Sequence, residues 1–426
     1  VLALWLAVAA AGCPARGGHL RPDESGAQTT GGHAARPDES GARTTGAQTS
    51  GDHAAVAGGQ GGQPQDAQPQ DTERQGGQTQ GAQAQDTERQ GGQAPGSQAR
   101  GQEAASGLPT PLGEAERAIF YGSPEDPPPK KLGGVTEAQE GRHYVAGNEW
   151  NLHLFYRSLR RLGGGYLGVG TDQAYVFVGW QHPELAWLMD YDPWVRRIHA
   201  IYFAFFAQAE TPREFLSLWR KDATERAFAA IEARGGEDVP RLKRLYRSYR
   251  TKILMRLTKV RDEMREAKVP TFLNSKRTYR WVRAFVLSGR ARAMTGNLLG
   301  ARAMKGIGEA ARRLGVPIRA VYVSNAEQYW KYGRRYRENV AALYTDDKTL
   351  MVRTLLTWER NRDYRYTVQP WDNFLAWLSR PWVTAVYKMI PARTDDSKDV
   401  EFFVFRRTVE SAERRRSQRT KKPTAR

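Results

Sequence analysis

Apolar positions are nearly absent from residues 14–107 and become periodic from about residue 148 onward. A helix is expected from Asn148-Glu149-Trp150-Asn151 to Arg161, because Leu152, Phe155, Leu159 and Leu162 recur at helical spacing. A short apolar strand follows over residues 166–169, then a glycine turn and a helix-length segment. A second strand over 185–189 ends in Asp190. The helix after Asp192 carries Trp194, Ile198, Ile201, Tyr202 and Phe205 on one face, which predicts packing on a sheet.

Residues 211–268 read as helix almost throughout. Thr211-Pro212-Arg213-Glu214 supplies an N-cap hydroxyl, a first-turn proline and an acid at the third position. Between residues 241 and 268, eleven Lys and Arg are interleaved with Leu242, Leu245, Tyr246, Tyr249, Ile253, Leu254 and Leu257. This pattern predicts a helical insertion laid over the functional face of the sheet. Strand–helix alternation resumes at residues 291–294, a strand running into Thr295-Gly296-Asn297. A helix over 299–314 closes on Gly315, a good C-cap. The strand 316–323 ends in Ser324-Asn325, and a helix is expected to start there and run to Tyr344. Residues 349–356, a helix near 371–378 and residues 400–405 complete the set. Residues 108–147 read as an irregular Pro- and Gly-rich lead-in, and 409–426 as a basic disordered tail.

Strands alternating with helices predict an α/β fold: a doubly wound, mostly parallel Rossmann-like sheet over residues 148–408, with the insertion at 211–268. In that architecture ligands sit outside the carboxyl ends of the strands. Four polar clusters fall at such ends: Thr171-Asp172-Gln173, Asp190 with Asp192, Gly296-Asn297, and Ser324-Asn325. Asn148 and Glu149, just before the first core helix, face the same cleft or cap it.

Composition changes the picture at the N-terminus. Residues 14–107 are dense in Gly, Gln, Ala, Asp and Thr, too poor in apolar surface to offset their ordering entropy, so a long disordered segment is expected. RPDESGA begins at Arg21 and again at Arg36, and DTERQGGQ at Asp71 and again at Asp86. Without apolar positions to stack, these repeats predict a spacer rather than a solenoid. At ~5–6 Å × √n its r.m.s. reach is roughly 50–60 Å. Charge divides along the same line. Residues 1–110 hold 7 Arg and Lys against 11 Asp and Glu, a net of −4, so the remainder carries +23 of the overall +19. A basic surface of this kind is compatible with a nucleic-acid partner, although basic runs most often form solvated helix faces.

The chemistry centres on the glycine turn. Gly168 and Gly170 stand where a backbone turns sharply or approaches a ligand, and Asp190 lies twenty residues beyond Gly170. In a nucleotide-binding βαβ unit the acid at that distance holds ribose hydroxyls. Gln173 occupies the place of the third glycine. No G-x-x-x-x-G-K-[ST], G-x-S-x-G or H-E-x-x-H occurs, and His143, His153, His182 and His199 are scattered, so no metal site is expected. Cys13 is the only cysteine.

Two resemblances sharpen these expectations. Ala10-Ala11-Gly12-Cys13, after the apolar run 1–12, resembles the lipobox of bacterial lipoproteins. It implies a signal segment over 1–13, lipidation at Cys13, and a membrane-anchored envelope protein whose segment 14–107 is the tether; a mis-assigned start would leave it cytoplasmic. The run GVGTDQAY…LMDYD, with TGNLLG and VYVSNAEQYW, resembles class I S-adenosylmethionine-dependent methyltransferases over roughly residues 145–408. Within that class it is most similar to a bacterial group with a GVGxDQ-type turn. The resemblance implies S-adenosylmethionine or a related nucleoside held by Gly168, Gly170, Asp172, Gln173, Asp190 (or Asp192), Asn297 and Ser324. It also implies Asn325 and Glu327 near an unassigned small-molecule acceptor, with Tyr329 and Arg353 as further candidates. Anchor and cofactor pull apart, since S-adenosylmethionine is not expected to be plentiful outside the cytoplasm. A non-catalytic envelope lipoprotein that binds a small ligand or a protein is therefore the second reading.

Overall fold

The computed structural model describes residues 107–132, 141–236, 238–356, 364–390 and 402–420. The expected signal segment with Cys13 and all but the last residue of the expected spacer lie outside the described residues. Seven strands form one sheet: β1 Gly165–Gly168, β2 Leu185–Asp190, β3 Ala291–Thr295, β4 Ile318–Tyr322, β5 Leu350–Leu356, β6 Tyr364–Pro370 and β7 Phe402–Val404. Their order is β3-β2-β1-β4-β5-β6-β7. The first five are mutually parallel; β6 runs antiparallel to β5, and β7 parallel to β6. The fold is thus mixed α/β with a mostly parallel sheet.

Alternation along the central strands explains why helices cover both faces. Tyr166, Ala186, Leu188, Ala320 and Tyr322 enter one apolar core, while Leu167, Trp187, Met189, Ile318 and Val321 enter the other. On the first face lie the helices Asp172–Gln181, Pro193–Gln208, Thr224–Arg234, Val239–Glu266 and Lys276–Leu287. The helices Ala303–Arg313, Arg334–Ala341 and Trp371–Leu378 cover the second. The chain therefore changes face after β3. In consequence β1 pairs with both β2 and β4, so the point where the strand order reverses lies at their carboxyl ends, where ligands sit in sheets of this kind.

Several expectations are corrected. Residues 148–151 are not helical: a 3-10 turn Leu152–Phe155 leads into the one-turn helix Tyr156–Leu159, because Asn148 and Asn151 are drawn to the hydroxyls of Tyr364 and Tyr366 on β6. The helix expected from residue 299 begins at Ala303, since Asp126 accepts from the Asn297 and Arg302 amides and holds 297–302 as a loop. The helix expected after Asn325 is broken. A 3-10 turn Ala326–Tyr329 precedes a separate helix Arg334–Ala341, and the Tyr332 amide is taken by the Thr384 carbonyl.

The lead-in is not wholly irregular. Residues Glu114–Gly122 form a helix, and the strap that follows closes the open edge of β3. There Asp126 donates its amide to Thr295 O at 3.1 Å, and Glu125 accepts from Thr295 N at 3.0 Å. Nor is the basic tail without structure. Val409–Thr420 is helical; Val409 and Ala412 are buried, and Glu413 accepts from Arg380 at 2.9 Å. Among the described residues no helix is long and apolar enough to cross a membrane.

Candidate functional site at the carboxyl ends of the strands

The turn after β1 is clamped from both sides. Gly170 adopts φ +89°, open to glycine without strain. Its amide donates to Asp190 at 3.1 Å and its carbonyl accepts from His199 Nε2 at 2.9 Å. Because a carbonyl only accepts, His199 carries its proton on Nε2, and Nδ1 accepts from the Tyr175 hydroxyl at 2.8 Å. Burial holds this imidazole neutral and pushes its pKa down to about 4. Asp190, at the end of β2, is pushed up to about 7 by burial, against the amides of Asp192, Gly170 and Tyr191 that favour its charge. Asp192 caps the next helix through the Trp194 amide and meets His143 Nδ1 at 2.8 Å, and the His143 ring stacks on Trp194.

Between the ends of β1 and β4 lies a buried polar cluster centred on Glu149. Its Oε1 accepts from the Tyr322 hydroxyl at 2.8 Å and from Ser324 Oγ at 2.6 Å. Burial, then the Glu149 charge, raises the Tyr322 phenol well above its ordinary range, which keeps it a donor. Ser324 sits at φ +50°, a conformation unfavourable for a residue with a Cβ. From the inserted helix Val239–Glu266, Arg256 reaches in: Nε donates to Asp172 at 2.9 Å and Nη1 to the Glu149 carbonyl at 2.6 Å. The Gly147 amide donates to the other Asp172 oxygen at 2.6 Å. Arg256, Asp172 and Glu149 are all buried.

The glycines of the turn make room for the protein's own side chains. A Cβ at Gly168 would fall inside the Tyr166 phenol, and one at Gly170 would fall on the Gln173 amide. Gln173 is itself buried. Above the crevice, exposed rings form a rim. Tyr191 follows Asp190; Tyr144 lies within electrostatic reach of both Tyr191 and Tyr329, and Tyr387 within reach of Tyr329. Asn325 donates to the Tyr329 hydroxyl at 2.9 Å.

The expected site residues therefore separate. Gly168, Gly170, Asp172, Gln173, Asp190 and Ser324 do converge on the crevice. Asn325 belongs to the rim. Asn297 turns toward the strap, its amide held by Asp126. Glu327 lies in a sealed ion pair: Arg353 Nε is 2.8 Å from its carboxylate, and the Tyr332 and Tyr336 hydroxyls donate to the other oxygen. Both partners of that pair are buried, so Glu327 does not reach the crevice. Arg256 was not foreseen as a site residue. The available signal was its position, since Ile253, Arg256, Leu257 and Val260 share one apolar helix face.

Several groups that the resemblance would give to S-adenosylmethionine have partners within the protein itself. The Gly170 amide and carbonyl are both engaged, and Tyr166 and Gln173 stand where a Cβ at Gly168 or Gly170 would fall. Glu149 and Arg256 occupy the ground between β1 and β4. Among the described residues no group of three or more His, Cys, Asp or Glu could hold a metal ion. The molecule is a mostly parallel α/β domain. It belongs to the family described as Domain of unknown function (DUF7790), whose model matches residues 144–406. No curated protein matches the chain.

Proposed function

We propose that the domain is a doubly wound, methyltransferase-like Rossmann fold that has given up the cofactor and acts as a binding module. The parallel order β3-β2-β1-β4-β5, with helices on both faces, supports the Rossmann-like assignment. The observation that carries the functional reading is the filling of the crevice by Tyr166, Gln173, Glu149 and Arg256. With no bound sulfonium there is no methyl transfer, and what remains accessible is the tyrosine rim with Asp190 and Asn325 below it. Aromatic side chains with polar tips are well suited to hold a small ring ligand or a protein partner. In this reading Cys13 carries a lipid, residues 14–107 form the tether, and the envelope location no longer conflicts with the cofactor. Nucleic acid is not favoured. Several cations of the insertion face carboxylates, as in Lys243 with Glu232, Arg241 with Asp238 and Arg261 with Asp262.

Calorimetric titration of the protein with S-adenosylmethionine, beside Asp190→Ala, tests the reading. The expected outcome is no saturable heat with either protein. Saturable binding that Asp190→Ala abolishes would overturn it and restore the methyltransferase.

A further inference from the structure

Among the described residues, four besides glycine adopt positive φ: Arg161, His182, Lys268 and Ser324. The first three close helices, each within two residues of the last helical position, where a left-handed turn is ordinary. Ser324 instead follows β4, two residues beyond Tyr322, and no helix end accounts for it. β5 holds it there on both flanks: the Val323 amide donates to Val352 O at 3.1 Å, and Ser324 O accepts from the Thr354 amide at 3.0 Å. A strained residue that its neighbours fix in place points to a use for its side chain.

That side chain is a hydroxyl in contact with a base. Ser324 Oγ donates to Glu149 Oε1 at 2.6 Å, the short distance of a charge-assisted hydrogen bond. The Tyr322 hydroxyl shares the same oxygen at 2.8 Å, but Tyr322 is buried, whereas Ser324 is partly exposed. Of the two, only Ser324 is open to an incoming molecule. Glu149 is held in turn: the Asn148 amide donates to its Oε2 at 3.2 Å, and Arg256 Nη1 donates to its carbonyl at 2.6 Å. A carboxylate is thus fixed beside a hydroxyl with orienting groups behind it, the arrangement that an activated nucleophile needs. A strained serine turn at the end of a strand is also how hydrolases expose a nucleophile, although Tyr322 and Ala326 stand here where the glycines of G-x-S-x-G would be. Beyond the serine, the Ala326 amide is bound to Val323 O at 3.1 Å, while the Asn325 amide has no partner among the described residues.

We propose that Ser324 is a nucleophile with Glu149 as its general base, and that this end of the sheet hydrolyses an acyl ester. Ser324 Oγ attacks the ester carbonyl carbon and forms the new C–O bond while its proton passes to Glu149 Oε1. The carbonyl oxygen becomes an oxyanion, for which the Asn325 amide is the available backbone donor. Collapse breaks the bond to the alcohol, which leaves with the proton from Glu149. Water then attacks the acyl-serine and gives a proton to Glu149, and the carboxylic acid departs as Ser324 recovers that proton. This activity goes beyond the binding module proposed above and is independent of it, since the tyrosine rim holds a ligand whether or not Ser324 reacts.

Labelling of the whole protein with a fluorophosphonate, read by peptide mass spectrometry, tests the proposal, and hydrolysis of p-nitrophenyl acetate gives a second readout. The expected result is an adduct on Ser324 and a burst of nitrophenol as the acyl-serine forms. Ser324→Gly removes the hydroxyl and relieves the positive φ, so it should stay folded and lose both signals. Glu149→Gln keeps the shape of the side chain without the base, and should slow labelling by about 10²–10⁴-fold. Wild-type protein unfolded in urea is the control that does not depend on either variant folding, and its Ser324 should stay unlabelled. Absence of an adduct on Ser324 in the native protein would overturn the proposal. So would labelling as fast in the unfolded chain, or as fast in folded Glu149→Gln.

Discussion

Asp190 and Gly168 show how far single residues decide what this crevice is. The Asp190 carboxyl ionises at about 7 in the fold, against roughly 3.9 in an unfolded chain. Between those values the unfolded chain has lost its proton while the native one keeps it, so this residue makes stability fall as pH rises from about 4 to 7, and the cost levels off above that. Asp190→Asn removes the term. Its stability relative to wild type should rise by about 2–4 kcal/mol between pH 4 and pH 8. Urea unfolding at the two pH values reads this directly, and a pH-independent difference would mean that Asp190 is ionised throughout. Gly168 tests the filling of the crevice. Gly168→Ala should cost about 1–3 kcal/mol through overpacking against Tyr166, with partial recovery when Tyr166→Leu is added. An Ala variant as stable as wild type would show that the space is not occupied as described. Much at this scale was legible: the spacing from Gly170 to Asp190 was there to read, and so was the polar Ser324-Asn325. What could not be read was that Glu149 and Arg256, 107 residues apart, meet above Asp172. A basic residue in a basic stripe gives no sign of its partner, apart from its place on an apolar face.

At the scale of elements, periodicity succeeded where an element packs through one face and failed where tertiary hydrogen bonds set the boundary. The strands β1, β2, β3 and β4 fell within one or two residues of expectation, because each is an apolar run bounded by turns. β6 was missed although Tyr364, Tyr366 and Val368 alternate, and its antiparallel pairing is what departs from a purely parallel sheet. The strap went unread because its helix is short and weakly apolar, with Phe120 its one buried side chain. Its importance lies in hydrogen bonding. Buried Asp126 satisfies two loop amides, at 3.0 Å from Asn297 and 2.9 Å from Arg302. Asp126→Ala should cost about 2–3 kcal/mol, the penalty for leaving buried amides unpaired. Faster amide hydrogen exchange confined to residues 297–302 is expected alongside the lowered unfolding midpoint. If exchange there does not change, the strap is not what holds that loop.

Seen as a whole, the molecule divides its sequence into parts with opposite demands. The N-terminal quarter is acidic and apolar-poor, and the rest is basic and carries the two cores. That division was plain in composition alone, and the α/β class in the alternation of strand and helix patterns. The packing of Tyr166 and Gln173 against the turn glycines was not, because a glycine that welcomes a ligand and one that welcomes a neighbouring phenol look the same in a sequence. Function in such a fold resides in what occupies the strand ends rather than in the strand order.

The strap over β3 also sets a timetable. Tyr121 closes on Gly289 and Ala291, and Glu125 on Thr295, contacts 168 to 170 residues apart. As the chain emerges from a ribosome or a translocation pore, the strap waits for about 170 residues, over half of the span from residue 107 to residue 420, before its partner strand exists. Contacts of such separation form slowly, since the loop entropy must be overcome before they reward it. Until then an unpaired strand edge stands open. The folding intermediate most prone to aggregate is therefore one with its sheet assembled and its strap still loose, and the time spent there, rather than the depth of the native well, should govern the yield of this protein.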